Sequence, residues 1–87
     1  MTFVYILRCA DDSLYVGCTD DLTGRLEQHN QGVGSHFTSR RLPVALAYAE
    51  EHQSRDDALE RERQLKRWTR AKKEALIAGD RSSLKRL

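Results

Sequence analysis

Phe3-Val4-Tyr5-Ile6-Leu7 and Leu14-Tyr15-Val16-Gly17 flank the polar stretch Ala10-Asp11-Asp12-Ser13. Val4 to Cys9 and Leu14 to Cys18 are rich in β-branched and aromatic residues. With turn chemistry between them, the two runs read as a β-hairpin. Side-chain alternation sets the register. Opposed residues share a face and faces alternate along each strand, so Val4 and Ile6 should lie with Leu14 and Val16. A two-residue Asp11-Asp12 loop would pair Ile6 with Gly17 and send Val16 to the wrong side. An odd loop, or a bulge, pairs like with like, and it gathers Tyr5, Tyr15 and Gly17 on one face. Two of the chain's three tyrosines then look the same way, either for packing or for chemistry, since a phenol can orient or transfer a proton.

Outward from the hairpin, Thr19-Asp20-Asp21 caps a helix running to about Asn30, with acidic residues in its first turn and Asn30-Gln31-Gly32 ending it. Leu22 and Leu26 form its core stripe, and Gly24 weakens it by ~1 kcal/mol relative to Ala. Gly32 to Pro43 reads as loop. Val44 to Glu51 alternates Val44-Leu46-Tyr48 and reads as a third strand. Ser54-Arg55-Asp56-Asp57 is a capping box opening a second helix that continues through Trp68. Thr69 caps a third helix, Arg70 to Ala78, closed by Gly79. Asp80 to Leu87 is expected to add a short helical turn. The order β-β-α-β-α-α gives an α+β fold, a small three-stranded antiparallel sheet flanked by helices.

With 87 residues, one domain is expected, with a core over about 2–78 and a basic helical C-terminal end. A domain of this size buries about 60–65% of its unfolded surface. A mean hydropathy of −0.69 fits a soluble chain. No apolar run approaches the ~18 residues of a membrane span, and no signal segment opens the chain, so a cytoplasmic location is expected. Cys9 and Cys18 have no zinc-like or CxxC spacing and read as small buried hydrophobes. Net charge is +2, but it is unevenly spread. Residues 1–53 hold four Lys/Arg against seven Asp/Glu, and from Arg61 onward the balance is ten to three. Such a basic half suits a polyanion, nucleic acid above all, or else a solvated helix face laced with ion pairs.

Glu62 is the oddest placement. It lies four residues from Ala58 and three from each of Leu59 and Leu65, inside the stripe that should face the core. A carboxylate there must be metal-bound, protonated, or paired with one of the many arginines, because burying it unpaired costs several kcal/mol. Arg25 and His29 are four apart on one side of the first helix. Arg suits a phosphate through its planar fork, and His29 offers an acid, a base or a phosphate donor, unless it is a helix-end His favoured by the dipole. His36-Phe37-Thr38-Ser39-Arg40-Arg41 is suited to nucleic-acid backbone contacts or is a polar loop over a tucked Phe37. Lys66-Arg67-Trp68-Thr69-Arg70-Ala71-Lys72-Lys73 surrounds one large aromatic, read as core, with cations placed to meet phosphates.

Together, a tyrosine hairpin with Tyr15-Val16-Gly17 on its second strand, Arg25-x-x-x-His29 on the next helix and a helical Glu62 resemble the GIY-YIG nuclease superfamily, in particular its small single-domain bacterial members. The likeness covers about residues 2–78. Val4-Tyr5 stands where the family has Ile-Tyr, with Phe3 in place of the first Gly, and Tyr15-Val16-Gly17 stands for Tyr-Ile-Gly. Arg25 matches the catalytic Arg, His29 the His that often follows, Glu62 the metal-binding Glu, and Leu65-Lys66 the usual continuation. The late active-site Asn of many members has no counterpart after Asn30, and the DNA-binding domain that larger members attach has none either.

The resemblance implies metal-dependent hydrolysis of phosphodiester bonds in nucleic acid, DNA ahead of RNA, with a role in DNA repair or processing. It implies Tyr5, Tyr15, Arg25, His29 and Glu62 as catalytic residues. Tyr5 would be the general base, its phenol (pKa ~10 when free) made usable by Arg25 or the metal. Tyr15 would orient the water or the phosphate, and Arg25 would stabilise charge on the phosphoryl oxygens. Glu62 would hold one Mg²⁺ or Mn²⁺. Gly17, Arg40, Arg41, Lys66, Arg67 and Arg70 are expected to meet the nucleic acid. Two other functions suit the same residues: a nucleic-acid-binding module that does not cut, and an interaction protein whose basic helices dock an acidic partner.

Overall fold

The computed structural model describes residues 1–79, so the terminal turn expected over Asp80 to Leu87 lies outside the described residues. The elements are β1 (Thr2–Arg8), β2 (Leu14–Thr19), α1 (Leu22–Asn30), α2 (His36–Ser39), β3 (Ala45–His52), α3 (Arg55–Lys66) and α4 (Arg70–Ala78). The sheet is antiparallel with strand order β2-β1-β3, so the first strand is central and β2 is an edge.

The hairpin has the register that alternation demands. Ile6 opposes Val16 and Tyr5 opposes Gly17. The odd loop is Ala10-Asp11-Asp12, closed by bonds of 2.9 Å from Cys9 N–H to the Ser13 carbonyl and from Asp12 N–H to the Cys9 carbonyl. Asp12 sits in the left-handed region at φ 70, the conformation a three-residue hairpin loop requires at its last position.

Each face of the sheet buries its own core. Val4, Ile6 and Val16 pack with Ala58 and Leu65 of α3, joined at the margin by Trp68 and by Leu76 and Ile77 of α4. Tyr5, Leu7, Cys9 and Val44 form the other core, with Leu22 and Leu26 of α1 and Leu42. The sheet is thus sandwiched, α1 on one side and α3 with α4 on the other. No helix among the described residues is long and apolar enough to cross a membrane.

Local departures from the sequence reading have physical causes. The acidic residues expected in the first turn of α1 lie before it, and Asp21 is the N-cap, accepting from Gly24 N–H. His36–Ser39 is a helical turn rather than loop, because Ser35 caps it through a bond from Thr38 N–H. The Val44-Leu46-Tyr48 alternation does not hold one face. Leu7 opposes Leu46 but Ile6 opposes Tyr48, so a bulge at Ala47 turns Tyr48 to the α3 side. The second helix stops at Lys66 with Arg67 as its C-cap. Trp68 follows it, packed on the α3 core with Lys72 Nζ 4.4 Å from its ring centre. Cys18 is only half-buried, unlike Cys9. Thr69 and Gly79 cap α4 as read, Gly79 at φ 74.

Polar side chains fasten the layers. Asn30, ending α1, imitates a strand neighbour: its Nδ2 donates to the Val44 carbonyl at 3.0 Å and its Oδ1 accepts from Val44 N–H at 2.8 Å. On the opposite face Glu50 accepts from Tyr48 (2.6 Å) and Arg61 (2.9 Å) and contacts His52 Nε2 (2.6 Å). Burial would raise the Glu50 pKa, but these partners outweigh it and hold the carboxyl below its ordinary range. Arg8 forks onto Glu74 at 2.6 and 2.9 Å, tying the hairpin to α4.

Two measurements check this assembly. Leu65→Ala, which empties a fully buried position, should cost about 2–5 kcal/mol in urea unfolding, against much less for half-buried Leu59. The Arg8 fork pulls the Glu74 carboxyl from 4.5 down to about 2. Its stabilisation is therefore complete above pH 4.5 and lost as pH falls toward about 2. Glu74→Gln should flatten that part of the Tm-against-pH curve.

Candidate active site

The face of the hairpin that carries Tyr5, Tyr15 and Gly17 meets the C-terminal half of α1. Tyr5 is 1% exposed, and its phenol lies directly over Gly17, where a Cβ would collide with the phenol oxygen and ring. The hydroxyl is 2.9 Å from His29 Nε2. His29, fully buried, uses its other nitrogen on Thr38, Nδ1 to Oγ1 2.7 Å, and a Cβ at Gly34 would strike its ring. Tyr15 sits edge-on to the same imidazole, centroids 5.2 Å apart, and stacks at 5.9 Å on Phe37.

Arg25, one turn before His29, donates to Gln28 Oε1 at 3.1 Å and to the Gly34 carbonyl at 3.3 Å. Its Nε is buried and has no hydrogen-bond partner of good geometry among the described residues, although the guanidinium lies close enough to the Tyr5 phenol to favour its ionised form. Buried donors are rarely left so, and a phosphate oxygen is the kind of acceptor a guanidinium seeks. Arg25 lines a cleft of about 450 Å³ with Cys18, Thr19, Asp20, Asp21, Gly24, Gln28 and Arg55. Cys18 pairs with Val4 and so faces α3, whereas Arg25 comes from α1. The cleft therefore wraps around the free edge of β2. Two of its carboxylates are engaged: Asp20 accepts from Thr2 at 2.7 Å, and Asp21 caps α1.

Glu62 projects from α3 and is not among the residues lining the cleft. Its side chain is 17% exposed, within 3.0 Å of Lys66 Nζ, itself 52% exposed. No arginine pairs with it among the described residues. Its charge bears on both sides of the edge. The Cys18 thiol is pushed up by burial and then by Glu62. The Tyr5 phenol is raised above 10.0 mainly by burial, with Tyr15 and Glu62 adding to the rise and Arg25 opposing it. Arg25 and Tyr15 thus act on the Tyr5 phenol, and Glu62, outside the cleft lining, is the smallest of these influences. Arg25 favours the ionised phenol, as expected, but without a metal desolvation outweighs the cation. The His29 pKa is lowered, first by burial and then by Arg25, so the ring is neutral. It is not the helix-end imidazolium the dipole would favour, and with both nitrogens bonded internally it has none to offer a phosphate.

The residues picked for nucleic-acid contact separate. Gly17 is buried beneath the phenol, so its place is steric. Arg41 is held by Asp11 at 3.1 Å and lies 3.8 Å over the Phe37 ring. Arg70 is bound to Asp12 and Glu74, each at 3.0 Å. Both gather at the hairpin turn, away from the cleft end of β2. Lys66 pairs with Glu62, while Arg40 and Arg67 are exposed. The sequence reading gave Thr38 only a place in a candidate nucleic-acid loop, whereas it meets His29, and it missed the roles of Ser35, Gly34 and Asn30. Only their positions in the folded chain give them a role, although a small residue beside a buried ring is a usable signal for Gly34.

The fold is that of a nuclease-like domain. Residues 1–75 match the GIY-YIG catalytic domain, and the chain belongs to that family. UPF0213 proteins of Staphylococcus aureus strains Mu3 and Mu50 are each 47% identical over 75 residues, covering 86% of this chain and 92% of theirs. The solution NMR structure of a UPF0213 protein from Bacillus halodurans is 36% identical, covers 92% of this chain and 86% of that one, and superposes with a TM-score of 0.60. Membership carries nucleic-acid binding and, for nucleases of the family, general use of a divalent metal.

The donor set suits one class of ion. No group of three His, Cys, Asp or Glu among the described residues could hold a metal, so a cage built wholly from the protein does not fit. A half-buried carboxylate whose partner is an exposed lysine fits a hard cation that keeps most of its waters and takes one or two carboxylates plus phosphate oxygens.

Gly17→Ala should drive the phenol off its seat and break the Tyr5–His29 bond. The expected result is a stability loss of roughly 1–3 kcal/mol with altered Tyr5 and His29 NMR signals, and an unchanged spectrum would contradict the packing described.

Proposed function

We propose that this protein is a divalent-metal-dependent endonuclease that hydrolyses phosphodiester bonds in nucleic acid, DNA ahead of RNA, in DNA repair or processing in the cytoplasm. The observation that carries the reading is the grouping of Tyr5, Tyr15 and His29 on one face of the hairpin over Gly17, with Arg25 of the neighbouring cleft acting on the Tyr5 phenol.

Arg25 binds the scissile phosphate and strengthens its hold as charge grows on the phosphoryl oxygens. Its bonds to Gln28 and Gly34 fix the fork beforehand, so little reorganisation is needed at the moment of reaction. Tyr5 takes the proton of the attacking water, and Tyr15 orients that water or the phosphate. Glu62 would hold one Mg²⁺ or Mn²⁺, which would supply neutralisation of the charge on the leaving oxygen. Lys66, Arg67 and Arg40 add salt-sensitive phosphate contacts along the exposed surface.

Cleavage of a panel of linear and branched DNA and RNA, titrated with salt and with Mg²⁺ or Mn²⁺, tests the reading. Glu62→Ala and Arg25→Ala should each lower the rate on the order of 10²–10³-fold, and Arg25→Lys should rescue poorly because it lacks the planar fork. Cleavage that survives both alanine variants would overturn the site. Binding without cleavage under every metal would make the chain a binding module, and no salt-dependent binding at all would favour an acidic protein partner.

A further inference from the structure

The His29 imidazole lies between two hydroxyls, and the hydrogen-bond inventory leaves it one arrangement. Tyr5 is protonated in the folded chain, and its buried O–H must donate. Among the described residues its hydrogen-bond partner is His29 Nε2, at 2.9 Å. The neighbouring Arg25 is a donor only and offers nothing to that proton. Nε2 must therefore be bare, and a neutral imidazole with a bare Nε2 carries its proton on Nδ1. That proton points at Thr38 Oγ1, 2.7 Å away. Thr38 must accept it, so its own hydroxyl proton turns the other way, to Ser35 Oγ at 2.8 Å or the Ser35 carbonyl at 3.4 Å. Ser35 is itself fixed as the α2 cap, accepting from Thr38 N–H at 3.1 Å.

We propose that Thr38 is a positioning residue that holds His29 in the Nδ1–H tautomer, so that Nε2 stands ready to receive the Tyr5 proton. This deepens the nuclease reading above and rests on it. The logic is that of any nucleophile or base oriented by a histidine that a third group orients in turn. As the water oxygen forms its bond to phosphorus, the water proton passes to Tyr5 Oη and the Tyr5 proton passes to His29 Nε2. The bond from phosphorus to the leaving oxygen breaks, and that oxygen takes a proton from solvent. His29 returns its extra proton to bulk water through the same phenol after product leaves. The titratable groups facing His29 are few: the Arg25 cation on its own helix and the phenols of Tyr5 on β1 and Tyr15 on β2, with the α2 hydroxyls behind it. A neutral acceptor at Nδ1, rather than a carboxylate, keeps the resting ring from being protonated early.

The test uses the full chain labelled with ¹⁵N at histidine, with Thr38→Val and Thr38→Ser. The wild type should show the Nδ1–H tautomer at His29. Thr38→Val should shift it toward the Nε2–H form and lower kcat by about 10- to 100-fold with little change in KM, and Thr38→Ser should restore both. A wild-type ring in the Nε2–H form overturns the proposal, as does a Thr38→Val tautomer identical to wild type. If Thr38→Val fails to fold, the wild-type tautomer and the behaviour of Thr38→Ser still decide. A wild type that never cleaves removes the nuclease reading, whereas the tautomer spectra judge the role of Thr38 separately.

Discussion

A phenol with almost no solvent exposure must find an acceptor inside the protein, and much of this structure follows from that need. Leaving the Tyr5 hydroxyl unpaired would cost about 1–3 kcal/mol, a large share of what a domain of this size has to spare. The hairpin register sets Gly17 beneath the ring, because any side chain there would occupy the same space. Helix α1 must then end where His29 can meet the hydroxyl, and Asn30 secures that end by hydrogen bonding Val44 from both sides of its amide. The second nitrogen of His29 needs its own partner, which draws the α2 turn against the ring. Gly34 lets the chain pass close enough to do it. Tyr5, Gly17, His29, Gly34 and Thr38 form one constraint distributed over four segments.

The position of β2 at the sheet edge explains how groups from opposite faces reach one place. On an interior strand the two faces would be separated by neighbouring backbone on both sides. At an edge the cleft can curl around, so Arg25 from α1 and the α3-facing Cys18 line it together. The charge asymmetry of the sequence reads differently in this light. Several cations of the basic half are spent in local pairs: Arg61 on Glu50, Arg70 on Asp12 and Glu74, Lys66 on Glu62. Whether half-buried, as Arg61 on Glu50, or exposed, as Arg70 on Asp12, such pairs lower the field available for long-range attraction of a polyanion. The anion-seeking character therefore rests on a few placed groups more than on the total.

The strands, the helix caps and the facing of Tyr5 with Gly17 were legible because each follows from local chemistry or from period-two alternation. Glu62 was legible as an anomaly, a carboxylate in an apolar stripe. The bulge at Ala47 was not, because Val44, Leu46 and Tyr48 alternate in sequence whether or not the ladder slips between them. The α2 turn hid in a loop-like composition, four residues long and dependent on a single serine cap. Thr38 and Ser35 carried no signal of their roles, since a hydroxyl in a polar segment gains meaning only when a buried ring is brought to it. The opposing burial of Tyr5 was hidden for a related reason. Sequence proximity of a cation says nothing about how much water the fold removes.

That last point decides how the tyrosine can work. An unperturbed phenol is ionised at pH 7 in about one molecule per thousand, roughly 4 kcal/mol uphill. Burial of Tyr5 makes the cost larger, and Arg25 offsets only part of it. Without a metal, a standing phenolate would therefore be too rare to serve as the base on its own. A phenol that gives up its proton in the same step as it gains one never carries the full charge, and this requires a neutral acceptor already in place with the correct nitrogen bare. The burial that makes Tyr5 a poor isolated base also keeps His29 neutral and in line. The two depressing effects on reactivity, a phenol that resists ionisation and an imidazole that resists protonation, thus combine into a pair whose proton can move between them with little net change in charge.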